Sequence, residues 1–213
     1  MKEILLTAAV AAIGYLLGCI STGILISRRA GVNIRDAGSK NTGASNVLRV
    51  LGLRKGALTF LGDSLKAVAA CLAGSLLLPG ATFGIDRFGI MVGGLSAILG
   101  HNWPVFFGFK GGKGIAASTA VVLFVDPLLG GIAIALCVLV IFTTKFISLG
   151  SLTMLFVFLG LTVAFRSGQW FEIVFAAVLF VLGVLRHKDN IKRLLVGTEN
   201  KIGQKANARK TGE

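Results

Sequence analysis

The chain has 213 residues, 54% hydrophobic and 15% charged, with a mean hydropathy of +0.84. That excludes an ordinary soluble domain: seven spans of about 20 residues would use roughly 140 positions, leaving loops and a tail. The formal net charge is +13; in so apolar a chain it points to membrane topology and anionic lipid, not to nucleic acid.

The apolar runs predict an all-α polytopic membrane protein with spans at 4–26, 56–78, 88–107, 114–125, 127–144, 146–165 and 169–185. The fourth is too short to cross as a straight helix unless flanking residues extend it. In the first run, Leu16-Leu17-Gly18-Cys19 looks like a lipoprotein cleavage box. The following flank, Ser27-Arg28-Arg29, is more basic than the preceding one, as expected of a first transmembrane helix. Cys19, Cys71 and Cys137 all fall inside apolar runs, without disulfide or metal-ligand spacing.

Charge placement sets the expected orientation. With the N-terminus outside, Arg28, Arg29, Arg35, Lys40, Arg49, Arg54, Lys55, Lys110, Lys113, Lys145 and the basic stretch from Arg186 lie in the cytoplasm. Only Lys2, Arg87 and Arg166 lie outside. The positive-inside bias therefore predicts N-out, C-in, with residues 1–200 as one transmembrane domain and 201–213 as a basic cytoplasmic tail.

Three polar segments then share the cytoplasmic side. The first centres on Ala37 to Arg49, where Gly38 and Gly43 permit tight turns. Ser39, Asn41, Ser45 and Asn46 offer compact hydrogen-bonding groups there, and Lys40 and Arg49 add charge, a set suited to hydroxyls and a phosphate. In the second span, Asp63 and Lys66 share a helix face, as an ion pair or as the lining of a polar cavity.

The second segment, Gly100 to Gly114, reads GHNWPVFFGFKGGKG. It fails as a Walker A loop, because Gly114 follows Lys113 where Ser or Thr is needed. Gly111, Gly112 and Gly114 still allow close backbone approach to an anion, with Lys113 at the start of the next helix. His101 is a candidate base, oxyanion donor or cap, and Phe106, Phe107 and Phe109 read as interfacial anchors. The third segment, Arg186 to Asn200, holds His187, Asn190, Arg193 and Glu199 on a short interfacial helix and its exit. Ser148, at the start of the sixth span, lies near the same surface.

Polar groups at the interface favour an enzyme joining a soluble phosphate to a lipid; a transporter would more often carry inverted repeats and a midplane site. Transporter and non-catalytic scaffold remain the alternatives. Acidic residues are too few for two-metal phosphoryl chemistry.

The three segments together resemble the integral-membrane acyl-phosphate:glycerol-3-phosphate acyltransferases of bacteria, the PlsY family, over about residues 5–200. The first motif is matched at Gly38, Ser39, Asn41, Gly43, Asn46 and Arg49. The second is matched at Gly100, His101, Pro104, Phe106, Gly111, Gly112, Lys113 and Gly114, and the third at His187, Asn190, Ile191, Arg193, Leu194, Gly197 and Glu199. The resemblance implies acyl transfer from acyl phosphate to the 1-hydroxyl of sn-glycerol 3-phosphate, giving lysophosphatidic acid and phosphate. It implies a bacterial inner-membrane protein with its site facing the cytoplasm, no coenzyme and no metal, and transient contact with the soluble enzyme that makes the donor. On that footing, Gly111–Gly114 with Lys113 is expected to hold glycerol phosphate, and Ser39 and Arg49 the acyl-phosphate head group. His187 and Asn190 are expected to orient the hydroxyl or stabilise the oxyanion. The base is His187, His101 or an oxygen of the donor phosphate.

Overall fold

The computed structural model describes residues 1–204, all helix and connection; the rest of the expected basic tail lies outside the described residues. The elements are α1 (Lys2–Gly18), α2 (Thr22–Arg29), α3 (Ala44–Leu51), α4 (Leu53–Leu77), α5 (Phe88–Asn102), a 3-10 turn (Val105–Phe107), α6 (Ile115–Val125), α7 (Pro127–Thr144), α8 (Ile147–Phe165), α9 (Trp170–Arg186) and α10 (Lys188–Leu195).

Five stretches are long and apolar enough to cross a membrane: Lys2–Arg29, Leu53–Leu77, Phe88–Phe107, Pro127–Thr144 and Ile147–Phe165. Counted as one span, the pair α9 and α10, bent by 65°, makes a sixth. The remaining expected span, the fourth, is α6, whose 11 residues cover only about 16 Å against a hydrocarbon core of about 30 Å. The first expected span is continuous in composition but broken into α1 and α2 at Cys19–Ser21.

Local sequence explains the breaks. Asp126 caps α7, accepting from the N–H groups of Leu128 and Leu129, with Pro127 in the first helical position where its missing donor costs nothing. Lys145 takes a left-handed conformation (φ 66°) between α7 and α8.

α5 runs through the middle and packs on α1 and α4 through small residues. A Cβ on Gly18 would meet the Ala97 carbonyl oxygen at 2.2 Å, and one on Gly74 would meet the Gly89 carbonyl oxygen at 2.0 Å. Without a hydrophobic drive between helices in lipid, such backbone approach supplies dispersion contact that a larger side chain would block. The main buried cluster joins α4, α5, α6, α7, α8 and α9 through residues such as Ala67, Met91, Val121, Leu129, Met154 and Leu179. Large apolar residues such as Leu139, Phe142, Phe156 and Leu185 face outward, as they would toward lipid.

The two ends of the bundle are chemically distinct. At one end Asp126 receives Arg166 at 2.7 Å, and Arg87 lies 3.5 Å from Glu172 and donates to the Val125 carbonyl. At the other end converge the loop before α3, the loop between α5 and α6, and the turn from α9 to α10.

Candidate active site

The loop before α3 is built around the side chain of Asn46, which is fully buried. Its amide donates to the carbonyls of Ala37 (3.0 Å), Asn41 (2.8 Å) and Ile34 (3.3 Å), and its oxygen accepts from the Ser39 N–H at 2.8 Å. Gly38 (φ 58°) lies so close that a Cβ there would sit 2.4 Å from that oxygen. Gly38 and Asn46, expected as substrate contacts, therefore shape the loop and lie outside the cavity lining, whereas Ser39, Asn41, Gly43 and Arg49 line it.

The Gly-rich loop folds back on the end of α5. Gly112 donates to the His101 carbonyl at 3.1 Å and Gly111 to the Asn102 carbonyl at 3.2 Å. Two arginines clamp it from outside. Arg186 donates to Gly112 O at 3.1 and 2.7 Å and to Gly111 O at 3.2 Å, with its guanidinium over the Trp103 ring at 5.2 Å. Arg35 donates to the carbonyls of Phe107 and Lys110 and lies over the Phe107 ring. Phe106 and Phe109 are exposed as an anchor requires, while Phe107 packs on the cluster of Ile24, Ile34 and Val47. Gly111 and Gly112 stay behind the cavity wall, whereas Lys113 and Gly114 line it, as do Ile115 and Ala116 of the first turn of α6. Gly114 has φ 76°, which glycine adopts without strain. The α6 N–H groups without helical partners point to this side, where an anion is favoured.

The third segment supplies a side-chain network. Lys113 donates to the Asn190 side-chain oxygen. The Asn190 amide donates to Glu199 Oε1 at 2.6 Å, the Ser148 hydroxyl donates to the same oxygen at 3.0 Å, and Arg193 donates to Oε2 at 2.8 Å. Glu199 thus fixes Asn190, Ser148 and Arg193 in one arrangement. His187 Nδ1 lies 2.8 Å from the Gly183 carbonyl oxygen. A carbonyl only accepts, so Nδ1 carries the proton and Nε2 keeps its lone pair on a ring that lines the cavity. Burial, then the nearby Lys113 ammonium, pushes the imidazole down to about 4, so it is neutral at pH 7. Burial likewise pulls Lys113 down to about 8, leaving it cationic at pH 7 but titrating just above.

These groups meet in one cavity of about 230 Å³. Its polar end holds Ser39, Arg49, Lys113, His187, Asn190 and Glu199, with Asp63 and His101 in the floor, and its apolar arm holds Ile134, Cys137, Val138, Ile141 and Met154. Lys66 stands behind the floor, paired with Asp63 at 2.9 Å. Sequence reasoning missed Arg35 and Arg186 as loop clamps. The carbonyls and rings that their guanidinium groups touch lie more than 70 positions away, which leaves no local pattern.

A cationic, glycine-walled end that opens into an apolar arm inside a helical bundle defines an integral-membrane enzyme working where a phosphorylated substrate meets lipid. Residues 8–197 match the family model described as glycerol-3-phosphate acyltransferase. The glycerol-3-phosphate acyltransferase of Thermoanaerobacter sp. (strain X514) is 47% identical, covering 92% of this chain and 95% of its own. That of Clostridioides difficile (strain 630) is 43% identical, covering 95% and 98%. Among solved structures, the glycerol 3-phosphate form of the integral membrane acyltransferase PlsY (YgiH) superposes with a TM-score of 0.83 at 36% identity, covering 92% of this chain and 96% of that one. Its lysophosphatidic acid form gives 0.81 at 35% identity, covering 93% and 96%. The chain belongs to the glycerol-3-phosphate acyltransferase family. It is a membrane acyltransferase of lipid synthesis, and the transporter and scaffold alternatives give way to that.

Proposed function

We propose that this enzyme moves the acyl group of an acyl phosphate to the 1-hydroxyl of sn-glycerol 3-phosphate, releasing lysophosphatidic acid and phosphate. One observation carries the reading: the polar end and the apolar arm belong to a single cavity, so a phosphate and an acyl chain can be held on either side of one carbonyl carbon.

In this reading Lys113 and the first turn of α6 hold the glycerol phosphate, and Ser39 and Arg49 hold the donor's phosphate. Asn190, fixed by Glu199, is a donor for the carbonyl oxygen as charge develops on it. His187 Nε2 is placed to accept from the neighbouring 2-hydroxyl and so align the 1-hydroxyl, whose own proton stays free to leave. The new bond joins the 1-hydroxyl oxygen to the carbonyl carbon, and the carbon–oxygen bond to the donor phosphate breaks. His187, titrating at about 4, is a poorer base than a phosphate oxygen, whose second ionisation lies near 6. The proton therefore goes to the departing phosphate, and His187 orients. No covalent enzyme intermediate is needed, because acyl phosphate is already activated.

The proposal extends to topology: seven helical passes with α6 the shortest, N-terminus outside, the site open to the cytoplasm of a bacterial inner membrane, and the donor supplied by a soluble enzyme. Its support is the concentration of Arg28, Arg29, Arg35, Lys40 and Lys110 at the site end. Turnover by purified protein in detergent tests the reaction: phosphate and lysophosphatidic acid should form in equal amounts from acyl phosphate and glycerol 3-phosphate. Turnover with an acyl thioester but not with acyl phosphate would refute the donor.

A further inference from the structure

The buried group formed by Asp63, Lys66 and His101 is left without a role by the reaction just described. Lys66 Nζ is ion-paired with Asp63 Oδ1 at 2.9 Å, donates to the Ile20 carbonyl oxygen at 2.5 Å and lies 3.1 Å from His101 Nδ1. Asp63, 1% exposed, needs a cation beside it, and Lys66 at 2.9 Å is in contact where His101 at 3.7 Å is not, so Lys66 is the ammonium. An ammonium can only donate. His101 Nδ1 must then accept, and the ring proton must sit on Nε2. Asp63 does not compete for Nδ1, since it lies 3.7 Å away, beyond hydrogen-bond reach.

The other edge of the ring lies against the Gly-rich loop. A Cβ on Gly112 would stand 2.0 Å from Nε2, and the ring lines the cavity. Among the described residues, Nε2 has no hydrogen-bond partner. The other titratable groups near this corner are Cys19, behind Lys66, Tyr15, whose hydroxyl donates to the Trp103 carbonyl, Lys113 on the loop itself and Arg186, which clamps Gly112. None supplies a second acceptor to draw the proton to Nδ1.

We propose that Lys66, anchored by Asp63 and the Ile20 carbonyl, is a positioning residue that fixes His101 as the neutral Nε2–H tautomer, presenting a permanent donor, and not a base, to the phosphate of glycerol 3-phosphate beneath the Gly-rich loop. The ligand half of this statement rests on the substrate reading above, but the tautomer does not. The two histidines of the chain are then complementary: His187 accepts at Nε2 and His101 donates.

Nitrogen-15 spectra of histidine-labelled protein in detergent test it directly. With only two histidines in the sequence, His187→Asn leaves His101 alone in the spectrum. His101 should show the neutral Nε2-protonated pattern at pH 7. An Nδ1-protonated or a doubly protonated pattern overturns the proposal. Lys66→Met should release the ring to mix tautomers, and should raise the KM for glycerol 3-phosphate several-fold more than that for acyl phosphate. Lys66→Arg, which also only donates, should restore the pattern. A Lys66→Met protein that melts earlier but keeps the tautomer and the ratio of the two KM values would assign Lys66 to stability alone and sink the idea. Should Lys66→Met fail to fold, the His187→Asn spectrum decides by itself. Absence of turnover in the wild type would remove the substrate reading while leaving the spectroscopic result to stand or fall separately.

Discussion

Replacing Arg186 by lysine separates loop organisation from chemistry. The guanidinium makes three hydrogen bonds to the carbonyls of Gly111 and Gly112 and stacks on Trp103, without lining the cavity. A lysine ammonium is a single point and can keep one carbonyl at best. At least one charge-assisted bond is lost, worth about 1.5–3 kcal/mol, together with a stacking contact of about 0.5–1 kcal/mol. Arg186 is only half-buried, so we discount the sum for solvent to about 2 kcal/mol. If the ordered loop is the form that takes up glycerol 3-phosphate, that cost appears as a KM about thirtyfold higher for this substrate. The KM for acyl phosphate and the saturated rate should move much less. Steady-state kinetics in detergent, with each substrate varied against saturating amounts of the other, would measure all three. An unchanged KM for glycerol 3-phosphate with a fallen kcat would refute the reasoning, because it would place Arg186 on the reacting groups. Lowered melting temperature with unaltered kinetics would refute it differently, reducing the clamp to a brace.

Lys113→Ala should raise the KM for glycerol 3-phosphate by about one to two decades through loss of a charge-assisted bond. In the wild type the ammonium is present below its folded value of about 8 and lost above it, so this KM should climb as pH passes about 8 and the alanine variant should lack that climb. His187→Asn should retain much of the saturated rate and keep an ascending limb near pH 6, since the limb belongs to substrate phosphate and not to a histidine titrating at about 4; near-complete loss with the limb abolished would make His187 the base. Gly18→Ala should destabilise the bundle by about 1–3 kcal/mol, because its Cβ would meet the Ala97 backbone at 2.2 Å and has no room to turn aside; an unshifted unfolding midpoint would contradict the α1–α5 contact. Single cysteines at the exposed positions Lys40, Lys110 and Lys188 should resist a membrane-impermeant reagent applied to intact cells and react once the cells are opened. Labelling of any of them from outside would overturn the orientation.

Hydropathy made the helices readable, because a long apolar run in lipid has almost no alternative to a helix. The three polar segments were readable for the same reason: Ser39, Lys113 and His187 stand out against an apolar background. What could not be read is how labour divides within each segment. Gly38 and Asn46 sit in the same motif as Ser39 and Arg49, yet they build the loop while the other two face the cavity, and only the hydrogen bonds of Asn46 reveal it. Partners on other helices were invisible as well. Asp63 and Lys66 were legible as a pair at helical spacing, but His101, 35 positions from Lys66, was not legible as their third member.

The shortness of α6 bears on how the two substrates meet. α6 ends at Val125 and α8 at Phe165, and the Asp126–Arg166 pair holds those two ends together. α6 has 11 residues where α8 has 19, which makes it about 12 Å the shorter. The Gly-rich loop must descend to join it, carrying Lys113 and the free N–H groups of α6 below the surface. Ser148, in the first turn of α8, stays at the upper level and grips Glu199, which holds Asn190 over the descending loop. A phosphate drawn down to Lys113 thereby reaches the depth of the apolar arm beside Cys137 and Met154. An acyl chain can then bring its carbonyl to the acceptor hydroxyl without leaving hydrocarbon, sparing about 0.8 kcal/mol for each methylene that would otherwise be exposed to water. A full-length α6 would set the loop at the surface and require the chain to rise to it. The span that hydropathy marks as defective is therefore the one that lets a water-soluble acceptor and a lipid donor share a single cavity.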